Sequence, residues 1–255
     1  MQGKFLELLA EEEKSYDWKS VMFNLPSRVC KFMINSISDT LNTKANLVRW
    51  GKAMTSKCKA CGNHETLHHI LNNCSKFLEQ GRYTWRHNNI LAFIHKHLKS
   101  SLNEHQKLSC DLEGLKSGFT TIPLDYTVTD LIPDLCIFSE IADEKSLFVL
   151  ELSVPFELNI TKAHAYKMDK YSSLINDIEL NNISTSYIAL EIGSRGYIDQ
   201  DNMKRLKDIY SFIDSDHISF KDFKNSISKI AVLSSFVIYC ARNDPHWDIT
   251  QTLYL

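Results

Sequence analysis

Two stretches, Pro133-Asp-Leu-Cys-Ile-Phe138 and Ser146-Leu-Phe-Val-Leu-Glu-Leu-Ser-Val-Pro155, decide how this chain is read. Asp134–Phe138 has the length and apolar content of a short buried strand, and Ser146–Val154 those of a longer one. The polar stretch Ser139–Lys145 between them (SEIADEK) is short enough for a hairpin. Antiparallel pairing brings the start of one strand beside the end of the other, so Asp134 is expected next to Glu151. Side chains alternate along a strand, which places Glu151 and Ser153 on one face and Leu150, Leu152 and Val154 on the other. Pro155 ends the second strand. Glu157–Glu179 then reads as a helix carrying Lys167, Lys170 and Tyr171 on one flank.

A carboxylate inside an apolar run is costly unless it is paired or binds a cation. Magnesium is commonly held by one or two carboxylates together with water and phosphate oxygens. Bound there, it polarises a phosphate and lowers the pKa of an attacking water. A lysine near the same phosphate can orient that water and offset developing charge. The same residues also read as a salt-bridged structural Glu151, a turn-forming Pro133-Asp134 and two lysines on a solvated helix face.

A second cluster, Cys58-x2-Cys61-x7-His69-x4-Cys74, gathers four soft or borderline ligands within 17 residues. Zinc takes four such ligands tetrahedrally, and a close CxxC pair supplies two of them from one turn. Thr66–Leu71 can start a short helix that presents His69 to the pair, with His68 as the alternative ligand. A four-ligand protein site is structural, and in such a small unit the metal contributes about 10–16 kcal/mol to folding. A disulfide is disfavoured: no secretory signal is seen, and Cys30, Cys110, Cys136 and Cys240 are scattered singly.

The 255 residues are 44% hydrophobic, enough for one substantial core plus a small appendage. A net charge of −2 argues against a nucleic-acid binder if taken whole, yet the charge is unevenly spread. Residues 44–99 hold ten Lys/Arg against only Glu65 and Glu79, a local +8, which leaves about −10 elsewhere. That block, with Arg82, Trp85, Arg86 and His87, fits a phosphate-tracking surface, or else a solvated face. Helices are expected from Pro26 through Ile37, over Leu41–Trp50, Gly81–Ser100, Asn202–Phe212 and Phe220–Ala241. Strands are expected at Phe119–Val128, where Pro123 favours an edge, and at Ser184–Gly193. Ile230–Ala241 is too short and too polar at Ser234-Ser235 to span a membrane.

Together the words Pro133-Asp134, Glu151-Leu-Ser-Val-Pro-Phe-Glu157, Lys167-Met-Asp-Lys-Tyr171 and Glu191-Ile-Gly-Ser-Arg-Gly196 resemble the restriction-like endonuclease of site-specific non-LTR retrotransposons. Trp85-Arg-His87, the cysteine cluster, Leu25-Pro-Ser-Arg28 and the Asp39–Trp50 segment also match, so the resemblance covers roughly residues 20–215. It implies an α/β fold of the PD-(D/E)xK type, a mixed sheet flanked by helices. The implied division is a helical linker segment at 1–54, a CCHC zinc module at 55–80 and an endonuclease domain at 81–255. It implies Asp134 and Glu151 as magnesium ligands and selects His69 over His68 for zinc. The usual lysine position, two residues after the acid, is Ser153 here. Lys167 or Lys170 from the next helix would take that role, Lys167 lying nearer the strand end. Glu157 reads as a helix N-terminal charge or a further acid near the metal. Arg195 reads as a phosphate contact or an exposed loop cation.

The implied activity is magnesium-dependent nicking of a chromosomal DNA target, giving a 3′ hydroxyl that primes reverse transcription. Implied partners are the DNA target, element RNA and the reverse transcriptase domain of a parent protein, in the nucleus. No Asp-Asp pair occurs, so the polymerase motif is expected elsewhere, and the chain reads as the C-terminal part of a longer protein or a truncated copy. The alternative is a catalytically inactive, zinc-containing nucleic-acid-binding remnant.

Overall fold

The computed structural model describes residues 4–11, 18–112, 122–141 and 144–248. The two diagnostic stretches form β2 (Leu135–Ile141) and β3 (Glu144–Ser153), paired antiparallel with Leu135 opposite Leu150. Both strands run further into the polar connection than expected, and Glu140 lies opposite Lys145. The Lys145 ammonium is ion-paired with Asp125 of the neighbouring turn, so charge is met at this exposed strand end. β4 (Ser184–Glu191) joins β3 in parallel, with Glu151 opposite Ala189 and Ser153 opposite Glu191. The connection from β3 to β4 is a single turn of 3₁₀ helix, Glu157–Asn159, leading into α7 (Ile160–Leu180). A parallel pair needs such a crossover, and α7 covers one sheet face.

The far edge strand, β1 (Gln106–Cys110), pairs antiparallel with β2 and completes a four-stranded mixed sheet in the order β1-β2-β3-β4. It replaces the strand expected at Phe119–Val128. Residues 119–121 lie outside the described residues, and Pro123–Tyr126 is a turn closed by the Tyr126 amide donating to the Pro123 carbonyl.

Alternation sorts the sheet into two faces. Cys136 and Phe138 of β2 with Leu147 and Val149 of β3 pack against Tyr171, Leu174 and Ile178 of α7. Leu135, Ile137, Phe148, Leu150 and Leu152 face the larger core. That core is built from α3 (Ser27–Ile37), α6 (Arg82–Lys99), α8 (Gln200–Tyr210) and α9 (Phe220–Cys240), close to the helices expected there. α1 (Lys4–Glu11), α2 (Trp18–Phe23), α4 (Lys44–Arg49) and α5 (Ser75–Glu79) complete the helices named here. The cysteine-rich region joins the same core: Ile70, Leu71 and Phe77 are fully buried in one cluster with α3, α6 and α9 residues. It is therefore integrated into the fold instead of standing as an appendage. Among the described residues, no helix is long and apolar enough to cross a membrane.

The turn after β4 is pinned by a buried ion pair. Glu157 accepts from the Arg195 backbone amide at 2.6 Å and from Arg195 Nε and Nη2 at 2.9 and 2.6 Å, while Arg195 Nη1 donates to the Ser36 carbonyl of α3. Gly196 at φ +80° completes the turn; a Cβ there would meet the Ser228 carbonyl at 2.7 Å and Val232 at 2.8 Å. Removing one partner of a buried pair strands the other charge. Glu157→Ala should destabilise the protein by about 3–5 kcal/mol, read as a lower urea midpoint with an unchanged slope.

Candidate active site and zinc centre

Asp134 immediately precedes β2 and faces Glu151 of β3. The Asp134 amide donates to Glu151 Oε1 at 3.0 Å, and the Leu152 amide donates to Asp134 Oδ2 at 2.7 Å. The hairpin thus brings the acidic pair together as its register requires. Glu151 lies on the sheet face covered by α7 and is 1% exposed, while Asp134 sits at the end of the sheet.

Two cations meet the pair. Lys167 Nζ of α7 forms an ion pair with Glu151 Oε2. His87 Nε2 of α6 lies 3.2 Å from Asp134 Oδ2, and its Nδ1 lies 3.0 Å from Asn88 Oδ1. Two acceptors around one ring suit its doubly protonated form. Burial alone would push the His87 pKa down, but the hydrogen bond and charge of Asp134 outweigh it and the net shift is upward. Burial pushes the Asp134 carboxyl up, yet His87 and then Lys167 hold it below the usual carboxylate range. Glu151 is raised, first by burial and then by the Asp134 charge, with Lys167 opposing. Lys170 does not reach a carboxylate of the pair: its ammonium lies 4.8 Å from the Tyr171 ring centroid and 3.4 Å from the hydroxyl of Tyr171, which itself meets Glu151.

The other residues expected on nucleic acid sit differently. Arg82 is fully buried, stacked between Phe77 and Trp247, and donates to Gln80 and to the Ala241 and Asp244 carbonyls. Arg86 is buried too and donates to Ser235 Oγ and the Val154 carbonyl; burial pulls its pKa down to about 10. Arg195 is the buried partner of Glu157, neither a phosphate contact nor an exposed loop cation. The expectation of phosphate contacts by Arg82, Arg86 and Arg195 is therefore corrected: all three tie the interior together. Trp85 packs edge-on against Trp247 at 5.4 Å. Glu157 likewise serves Arg195.

A further cluster, not anticipated from the sequence, lies beside the acidic pair. Glu191 is fully buried on β4, with Arg205 Nη1 and His164 Nδ1 each 3.2 Å from its Oε2. Arg205 Nη2 lies 3.1 Å from His164 Nε2. Arginine only donates, so His164 accepts at Nε2 and donates from Nδ1 to Glu191. Burial pushes the Glu191 carboxyl up to about 8 against the pull of Arg205. The available signal was the spacing of His164 and Lys167, three apart and on one flank of α7. The register of Glu151 with Ala189 then puts Glu191 on the same sheet face as Glu151.

In the cysteine cluster, the ligand atoms of Cys58, Cys61, His69 and Cys74 all lie within 4.8 Å of one another. Gly62 at φ +78° closes the CxxC turn, and one turn of π-helix, His69–Asn73, carries the histidine. Cys61 Sγ is 3.3 Å from His69 Nε2. His68 points away: its ring stacks on Phe156 at 4.8 Å, and its Nε2 meets Asn159. Three thiols and one imidazole converging on a common centre are the donor set of a structural zinc ion. Residues 4–80 match the family described as zinc-binding in reverse transcriptase. The matched stretch includes α1 to α5 and all four ligands, and it points to a retroelement origin. No curated protein matches the chain.

Zinc should bind at one equivalent per chain. Cys74→Ser should lose that equivalent, measured by elemental analysis after gel filtration, and lower the melting temperature, because Cys74 is buried in the shared core.

Proposed function

We propose that the chain is the zinc-binding and restriction-like endonuclease region of a retroelement protein, with a PD-(D/E)xK nuclease site at Asp134 and Glu151. The observation that carries this reading is the hydrogen-bonded Asp134–Glu151 pair with the Lys167 ammonium on Glu151. Two hard carboxylate oxygen donors on adjacent strands suit magnesium, and these two residues would hold it. When bound, the ion would polarise a phosphodiester and favour ionisation of water.

This chain's own residues do the positioning. The Leu152 amide and His87 fix the Asp134 carboxylate, and the Asp134 amide fixes Glu151. Lys167 replaces the lysine that Ser153 lacks: from α7 it reaches the same carboxylate and would orient water and offset charge on the phosphate. Lys170 would serve at most a secondary role. The substrate would be a chromosomal DNA target in the nucleus, with element RNA and a reverse transcriptase domain as partners.

Purified, zinc-loaded protein should nick supercoiled plasmid or target DNA with magnesium and not with EDTA. Asp134→Ala and Glu151→Ala should abolish nicking, Lys167→Ala should slow it about 100-fold or more, and Lys170→Ala should change it less than tenfold. Nicking that persists in both acid variants would overturn the assignment. Tight DNA binding by wild type without any nicking would favour the inactive binding remnant.

A further inference from the structure

With Arg82, Arg86 and Arg195 buried, the exposed positive charge lies elsewhere. From Lys44 through His64 the chain carries Lys44, Arg49, Lys52, Lys57 and Lys59 and no acidic residue. Arg49, Lys52, Lys57 and Lys59 are all exposed. Among the described residues, Lys52, Lys57 and Lys59 have no carboxylate partner, while Arg49 is held by Asp39, whose carboxylate is 3.7 Å away. Trp50 stands in the middle of this run. It is 36% exposed, and the Arg49 and Lys52 cations lie 5.9 and 5.8 Å from its ring centroid. Met54, just beyond, is fully exposed.

This partly exposed ring belongs to neither of the two core clusters. It does offer an aromatic surface with two cations within 6 Å of its centroid. A cavity of about 270 Å³ opens next to it, sharing Arg49 as a wall and lined also by Asn46, His64, His68 and Phe156. The cavity thus lies between residues of α4, the segment before the zinc-cluster histidine, and the segment that follows β3.

We infer that this face binds single-stranded nucleic acid, with a base stacked on Trp50, phosphates on Arg49, Lys52, Lys57 and Lys59, and a neighbouring base directed into the cavity. A base must be unstacked to use such a platform, which favours single strands over duplex. Every base has a π-face, so recognition is tolerant of sequence. The charge complementarity and the aromatic platform are independent of magnesium and of the acidic pair.

The test uses the full, zinc-loaded chain without magnesium and fluorescein-labelled 20-mers of oligo(dT), oligo(U) and a mixed-sequence duplex, read by anisotropy. Wild type should bind a single strand at least tenfold tighter than duplex. Trp50→Ala should weaken that binding at least tenfold with zinc content and melting temperature unchanged. Lys52→Gln should flatten the log–log salt slope by about 0.7. Preference for oligo(dT) or for oligo(U) assigns DNA or RNA as the strand, and equal binding assigns both. Duplex bound as tightly as single strand, or Trp50→Ala binding like wild type, overturns the inference. Because Asp134→Ala should bind as wild type does, failure of nicking and failure of this site are separable.

Discussion

The β2–β3 hairpin ends where its two carboxylates begin, and the site depends on that arrangement. Leu135 and Leu150 form the last backbone pair. Beyond it the ladder continues through side chains, Asp134 accepting from the Leu152 amide and Glu151 accepting from the Asp134 amide. The carboxylates thus satisfy backbone donors that strand pairing no longer reaches. A slip of one residue would turn Glu151 into the larger core and away from Lys167. Register, burial and charge are one constraint here.

Cations on this protein divide by depth. Arg82, Arg86 and Arg195 each hold carbonyl groups from distant segments, so that α3, the β3–α7 junction and the C-terminal end of α9 are tied by guanidinium groups. Arginine suits this role because its planar fork reaches several acceptors at once and is less strongly hydrated than an ammonium. The lysines near the zinc centre remain at the surface. A count of charge along the chain merges these two populations, although only the second can meet a partner.

Much of the framework was legible in the sequence. Short apolar runs gave β2, β3 and β4, and an apolar stripe gave α6; α8 and α9 were also expected as helices, and CxxC with the downstream His and Cys gave the metal cluster. The misses have physical causes. Gln106–Cys110 is short, with exposed polar residues at its outer end, and as an edge strand buries little, so its pattern is weak; Phe119–Val128 looked more strand-like by residue type. The burial of all three arginines rests on partners more than a hundred residues away, which no local pattern encodes. The Glu191–His164–Arg205 ring needed the parallel register between β3 and β4 before its members could be placed together.

That register also bears on Ser153. It lies opposite Glu191, on the face that α7 covers. A lysine at 153 would therefore stand between Glu151 and Glu191 and could neutralise either. In this chain the work is divided: Lys167 meets Glu151, while Arg205 and His164 meet Glu191. His164 and Lys167 sit three residues apart on one flank of α7, where Lys167 reaches Glu151 and His164 reaches Glu191. One helix flank can thus serve both acids at once.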